Sequence, residues 1–149
     1  MTKNEVAFLK TIGFSEIGRD LLAHSDDGYN VLLGGTLFAS YGDHPRKNIT
    51  VNGLTSTAAG KYQILERYYD YYRVQLNLPD FSPHSQDLIA LQLIKECHAS
   101  DDVKEGNFEQ AILKCNSRWA SLPESHYGQH TNTMNYLKAY YENVGGLLA

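Results

Sequence analysis

Apolar positions near the start of the chain recur at helical spacing. Val6, Leu9, Ile12 and Gly13 fall on one side of a helix, and Asn4 ahead of them has the side chain of an N-cap. The pattern predicts a first helix ending between Gly13 and Ile17. A polar stretch, His24-Ser25-Asp26-Asp27-Gly28, gives way to Tyr29-Asn30-Val31-Leu32-Leu33 and, after Gly34-Gly35, to Thr36-Leu37-Phe38-Ala39-Ser40-Tyr41, which read as short strands. Asn48-Ile49-Thr50-Val51 runs into Asn52-Gly53, a strong hairpin signal because both central positions of a type I′ turn need positive φ. A small antiparallel sheet is expected within residues 29–55.

From about Thr57 the period becomes helical. Tyr62, Leu65, Tyr69, Tyr72 and Leu76 mark one face of a helix that ends before Pro79, and Ser82 caps the next, with Pro83 at its first position. Leu88-Ile89-Ala90-Leu91 with Leu93, Ile94 and Cys97 is apolar nearly all round, as in a central buried helix. Asn107 with Gln110 resembles a capping box opening a helix whose face is Ala111, Ile112, Cys115 and Trp119. A last helix is expected from about Asn132 to Val144, with Met134, Leu137 and Tyr141 inward and Gly145-Gly146 as its stop. One helix, a small sheet in the N-terminal third and four helices afterwards make an α+β fold, mostly helical.

Composition narrows the class. A chain of 149 residues, 42% hydrophobic, fits one domain spanning residues 1–149. The two cysteines, Cys97 and Cys115, sit in apolar stretches and read as reduced core residues. The opening MTKNEVAFLKTIGF lacks the apolar run and cleavage site of a secretory signal, and no stretch reaches membrane-spanning length, so a protein made in a cytoplasm without membrane insertion is expected. A formal charge of −4, with 13 Lys+Arg against 17 Asp+Glu, offers no basic stripe for phosphates, which disfavours nucleic acid as a partner. Eleven tyrosines, against one Trp and five Phe, suit a carbohydrate cleft, since a phenol ring stacks on a sugar face while its hydroxyl hydrogen-bonds.

Glu16 is the carboxylate that spacing picks out. If the first helix persists past Gly13, Glu16 lies on the stripe of Leu9, Ile12 and Gly13, where lost solvation favours the protonated form a general acid needs. If the helix stops at Gly13, Glu16 is an ordinary exposed residue, and spacing alone leaves both readings open. Glycoside cleavage usually uses a second carboxylate; Asp26, Asp27, Asp43, Glu66 and Asp70 are available, and no spacing singles one out. Ser56-Thr57-Ala58-Ala59-Gly60-Lys61-Tyr62-Gln63 reads as small residues at a helix start, where backbone can approach a ligand, followed by a ring and an amide able to read a sugar and its N-acetyl group. His126 and His130 have zinc-helix spacing, but no Glu lies between them, Gly128 weakens a helix and no third ligand is placed. Neither a GxSxG elbow nor a phosphate-binding loop is present, so no metal and no cofactor are expected.

Phe14-Ser15-Glu16, Gly28-Tyr29 through Gly34-Gly35 to Leu37-Phe38, Asp43-His44-Pro45-Arg46-Lys47, Ser56 to Gln63, Asp80-Phe81-Ser82-Pro83, and Trp119-Ala120-Ser121-Leu122-Pro123 with Tyr127-Gly128-Gln129 together resemble the lambda phage endolysin family, over roughly residues 5–130. The resemblance implies a lysozyme-like fold and lytic transglycosylase activity. Such an enzyme breaks the β-1,4 bond between N-acetylmuramic acid and N-acetylglucosamine of peptidoglycan without water and leaves a 1,6-anhydro ring. It further implies Glu16 as catalytic acid/base, Tyr62 and Gln63 in the cleft lining, and Tyr41, Asp43 and Tyr127 as further substrate-binding residues.

A monomer is the expected state. On the family's pattern it accumulates in the host cytoplasm until a holin opens the way to the periplasm and cell wall. Three positions depart from the pattern: Phe14 stands where it has Trp, Ile17 where it has Gly, and Thr36 where it has Glu. A hydrolysing muramidase of the T4 type would call for Asp and Thr where this chain has Ser25 and Val31. A poorly active peptidoglycan-binding or lysis-regulating module is the alternative from another class.

Overall fold

A computed structural model describes residues 1–127 and 130–149; Gly128 and Gln129 of the motif above lie outside the described residues. The elements are α1 (Lys3–Ile17), α2 (Arg19–Ala23), β1 (Ile49–Val51), β2 (Leu54–Ser56), α3 (Glu66–Gln75), α4 (Pro83–Glu96), α5 (Ser100–Glu105), α6 (Phe108–Cys115) and α7 (Met134–Asn143). The fold is mostly helical with a small two-stranded antiparallel sheet. It divides into two compact units, one of Met1–Ser15 with Leu91–Ala149, the other of Glu16–Ala90.

In the first unit, α1 is capped by Thr2 and not, as the sequence suggested, by Asn4. The Glu5 N–H donates to Thr2 Oγ1 at 3.1 Å while the Thr2 N–H donates to Glu5 Oε1 at 2.8 Å, a reciprocal capping box. Asn4 instead anchors the chain's far end, accepting from the Leu147 N–H at 2.9 Å and donating to the Leu147 and Lys104 carbonyls. Aromatic packing ties α1 to α6 and α7: Phe8 meets Phe108 edge-on at 6.0 Å, and Phe14 stacks on Tyr140 at 3.9 Å.

Thr133 caps α7 by accepting from the Tyr136 N–H. That helix ends as its glycines predicted: the Gly145 and Gly146 N–H groups close on the Glu142 and Tyr141 carbonyls in a Schellman turn, with Gly145 at φ 101°. Asn107 precedes α6 as expected but makes no side-chain cap there. Trp119 is buried beyond the end of α6, and α5, which supplies buried Val103 and Asp102, is an additional helix that the sequence pattern did not suggest.

In the second unit the hairpin falls on Asn52-Gly53, at φ 51° and 80°, and pairs Ile49 with Ser56, Thr50 with Thr55 and Val51 with Leu54. The two strands expected in residues 29–41 do not form. Gly34 and Gly35, at φ 85° and 101°, turn the chain back so that the two segments share a single bridge, Val31 with Leu37, while Leu32 pairs with Ala59. The helix expected from Thr57 starts only at Glu66. Residues 57–65 are a looped-back segment in which Ala59 and Ile64 exchange both backbone hydrogen bonds around Gly60 and Gln63, at φ 84° and 51°. Thr57 nevertheless contributes to α3, accepting the Glu66 N–H at 3.0 Å. Ser82 caps α4 as predicted, accepting the Ser85 N–H at 3.3 Å.

Candidate active site

Glu16 occupies the last turn of α1 and is half-buried, so the helix does persist past Gly13. Ile17 beyond it is buried against Gly28, where an added Cβ would meet Ile17, Leu22 and the Lys61 stem. Gly18, at φ 87°, then turns the chain into α2. The turn that carries Glu16 is fixed one residue earlier. Ser15 shares a hydrogen bond with the Ser121 hydroxyl at 2.7 Å and receives the Asn132 amide on both its hydroxyl and its carbonyl.

The carboxylates considered as partners for Glu16 all have other engagements. Asp26 accepts the Tyr41 hydroxyl at 2.5 Å, and Asp27 pairs with Lys61 at 2.8 Å. Arg46 gathers the remaining three: its guanidinium reaches Asp43 at 2.8 Å, Glu66 at 3.0 Å and Asp70 at 2.6 Å. Its hydrogen bonds hold the Asp43 and Asp70 carboxyls below the usual carboxylate range. Asp43 is therefore a member of a surface charge cluster. Burial, with the hydrogen bond to Asp26 and its charge, pushes the Tyr41 phenol up, so that it stays a neutral donor.

Tyr62 is buried, 1% exposed, and its ring presents no open face. Its hydroxyl donates to Asp87 Oδ1 at 2.6 Å, and the Tyr29 hydroxyl donates to the same oxygen at 2.9 Å. Burial and the Asp87 charge raise both phenols. Lys61 stands 4.7 Å from the Tyr29 ring centroid, adding a cation–π contact. Gln63 donates its amide to the Gly60 carbonyl at 2.9 Å and to the Val31 carbonyl at 3.3 Å. Both bonds fix the orientation of the amide.

Gly60 lies against Gln86, whose Oε1 would be 2.2 Å from an added Cβ. The Gln86 side chain accepts the Lys61 N–H and donates to the Tyr29 and Phe81 carbonyls, cross-linking three loops. Tyr127, in the other unit, is 57% exposed, with its hydroxyl donated to the Ser117 carbonyl.

A family model described as Endolysin matches residues 6–148. The endolysin of Escherichia phage lambda is 48% identical over 143 residues, covering 94% of this chain and 90% of the relative.

The chain belongs to the endolysin family.

The endolysin of Escherichia phage P2 is 39% identical over 158 residues, covering 99% and 96% of the two chains. Bacteriophage lambda lysozyme complexed with a chitohexasaccharide superposes with a TM-score of 0.96 at 43% identity, covering 100% of this chain and 98% of the other. A second structure of the lambda lysozyme gives 0.90 at 44% identity. The lysozyme-like fold expected from the motifs is thus the fold observed.

Sequence reasoning missed Asp87, Gln86, Lys61 and Arg46 as organisers of this endolysin's loops. Their partners lie up to 58 positions away, so no local pattern announces them. The one available signal was the polar Gln86-Asp87 pair at the start of an apolar helix.

Proposed function

We propose that this endolysin is a lytic transglycosylase that cleaves the β-1,4 bond between N-acetylmuramic acid and N-acetylglucosamine, with Glu16 as its single acid/base. Family membership makes the chain a lysozyme-like, peptidoglycan-degrading enzyme; the reaction type rests on the carboxylates. The observation that carries it is that Asp26, Asp27, Asp43, Glu66 and Asp70 are each held by a hydroxyl or a cation, while Glu16 stands on a separately braced helix end. One carboxyl suffices if the substrate supplies its own nucleophile. Glu16 protonates the departing glycosidic oxygen, then as carboxylate takes the proton of the muramic acid 6-hydroxyl as that oxygen closes on the anomeric carbon. No water is added, and the product is the 1,6-anhydro sugar.

Gln63 supports the reading as the amide that recognises an N-acetyl group, with Tyr62 as a buried support; Tyr41, Asp43 and Tyr127 are each substrate-binding residues by the family motif. The enzyme works as a monomer, held in the host cytoplasm until a holin gives it access to the wall. Mass analysis of digested peptidoglycan tests the reaction type. Muropeptides one water lighter than hydrolysis products are expected; reducing ends alone mean a muramidase, and intact glycan with retained wall binding means a binding module.

A further inference from the structure

We propose that the exposed side of α3 is a wall-anchoring surface, a second place where a peptidoglycan strand is held, built from Arg67, Tyr68, Tyr71, Val74 and Gln75. It rests on peptidoglycan being the substrate, as proposed above. At about 100° per residue these positions fall within about a third of the helix circumference. The opposite side of α3 buries Tyr69 and Tyr72. Packing of the helix uses only that side, yet Tyr71 is 57% exposed, Val74 70% and Tyr68 38%. Scattered apolar side chains on a surface are ordinary, whereas adjoining ones mark an interaction site. Tyr68, Tyr71 and Val74 follow one another at steps of three and so adjoin.

The rings are held in place. Tyr71 meets the buried Tyr72 at 5.0 Å with the ring planes at 85°, and the Arg67 guanidinium stands 5.0 Å from the Tyr68 ring centroid. Rings already anchored bind at small entropic cost. Among the described residues, neither the Tyr68 nor the Tyr71 hydroxyl has a hydrogen-bond partner, and Arg67 makes no ion pair. Asp70, the acidic residue of the same helix, is engaged by Arg46 at 2.6 Å, which leaves Arg67 as the charge of the stripe.

Flat rings, open hydroxyls and one cation are complementary to a glycan that carries peptides. The C–H face of a pyranose lies on a phenol ring, its hydroxyls reach the tyrosine hydroxyls and the Gln75 amide, and a stem-peptide carboxylate pairs with Arg67. The chain as a whole carries a charge of −4 and has no general attraction to an anionic wall, so the attraction has to be local. Size argues against a protein partner. Ten residues give a stripe only about 15 Å long, whereas a stable protein interface takes ~800 Å² and about 20–30 residues a side. A second copy of this chain finds too little to hold, and a strand one sugar wide fits.

The test is co-sedimentation of the full chain with insoluble peptidoglycan in the cold, comparing wild type with Tyr71→Ala/Val74→Ala and Arg67→Gln. The apparent Kd for the wall should rise roughly tenfold in the double variant, as when an aromatic anchor is truncated at an interface. Cleavage of short soluble glycan fragments and the melting temperature should stay at wild-type values. Leu113→Ala, which trims an exposed side chain of α6, should leave retention unchanged. Full retention of the α3 variants, an equal loss in Leu113→Ala, or a wild-type dimer that the α3 variants dissolve in sedimentation velocity overturns the proposal. A wild-type chain that cuts the wall while the α3 variants stay bound sinks this surface alone; one that neither binds nor cuts the wall sinks the peptidoglycan reading with it.

Discussion

Asn132 clamps the last turn of α1 through Ser15, its Nδ2 donating to the Ser15 carbonyl at 3.2 Å and to the Ser15 hydroxyl at 3.0 Å. The carbonyls of a helix's last turn have no partner within the helix, and an amide from a distant loop serves one of them here. Glu16 is the next residue of the same helix. Asn132→Ala should reduce turnover on peptidoglycan by about tenfold, as loss of positioning does, with KM little changed. The melting temperature should drop only slightly, by the ~1 kcal/mol of a net hydrogen bond. Unchanged turnover in a folded variant would separate the clamp from the reaction.

Glu16→Gln keeps the shape and removes the proton shuttle. Loss of general acid/base catalysis is expected to lower glycan cleavage by about 10²–10⁴-fold, with wall binding retained in a pull-down on insoluble peptidoglycan. A variant that clears the wall at the wild-type rate removes Glu16 from the reaction.

Asp87 holds two phenols at one oxygen, and Tyr62 is buried. Tyr62→Phe should cost about 1.5–3 kcal/mol, as for a hydrogen bond to a charged group. In a double-mutant cycle with Asp87→Ala the two losses should fall short of additivity, because both remove the same contact. Urea titrations give the four stabilities.

Gly60 combines positive φ with a Gln86 oxygen 2.2 Å from where a Cβ would stand. Gly60→Ala should lose about 3 kcal/mol or more from strain and overlap together. Trimming the obstacle in Gly60→Ala/Gln86→Ala relieves the overlap but leaves the strain and the orphaned Lys61 N–H, so chemical denaturation should show at most partial recovery.

His44 is buried between Tyr69 and Phe81, donating from Nε2 to the Ile64 carbonyl and accepting the Arg46 N–H at Nδ1. Burial lowers its pKa in the folded state. The unfolded chain therefore takes up a proton more readily, and the stability present above the unfolded value of about 6.5 is lost as pH falls below it and through the folded value. Asp43, Asp70 and Asp80, also lowered, add a second loss at more acid pH. Melting curves between pH 7 and 5 should show a decline that His44→Gln flattens; an equal decline in both proteins would assign it elsewhere.

Local chemistry made several elements readable. The Asn52-Gly53 turn, the Ser82-Pro83 start of α4 and the Gly145-Gly146 stop of α7 each depend on what a few adjacent residues can do at a given φ, and all three formed as read. The strands in 29–41 and the helix from Thr57 failed for a shared reason. Their apolar spacing was adequate, but Gly34, Gly35, Gly60 and Gln63 take left-handed conformations, the last two inside the loop that Gln86 and the paired Ala59 and Ile64 hold in place.

The sequence by itself determined the family, the mostly helical lysozyme-like fold and the choice of Glu16, because long motifs in fixed order and helical periodicity are properties of the chain as written. Only the tertiary structure decided how the other polar side chains pair. It bound Asp43, Glu66 and Asp70 to Arg46, set Tyr62 and Tyr29 on Asp87, and tied Asn132 to Ser15. Most of those contacts join side chains separated by tens of residues, and hydrogen bonds acting over about 3 Å leave no periodic trace in the order of the amino acids.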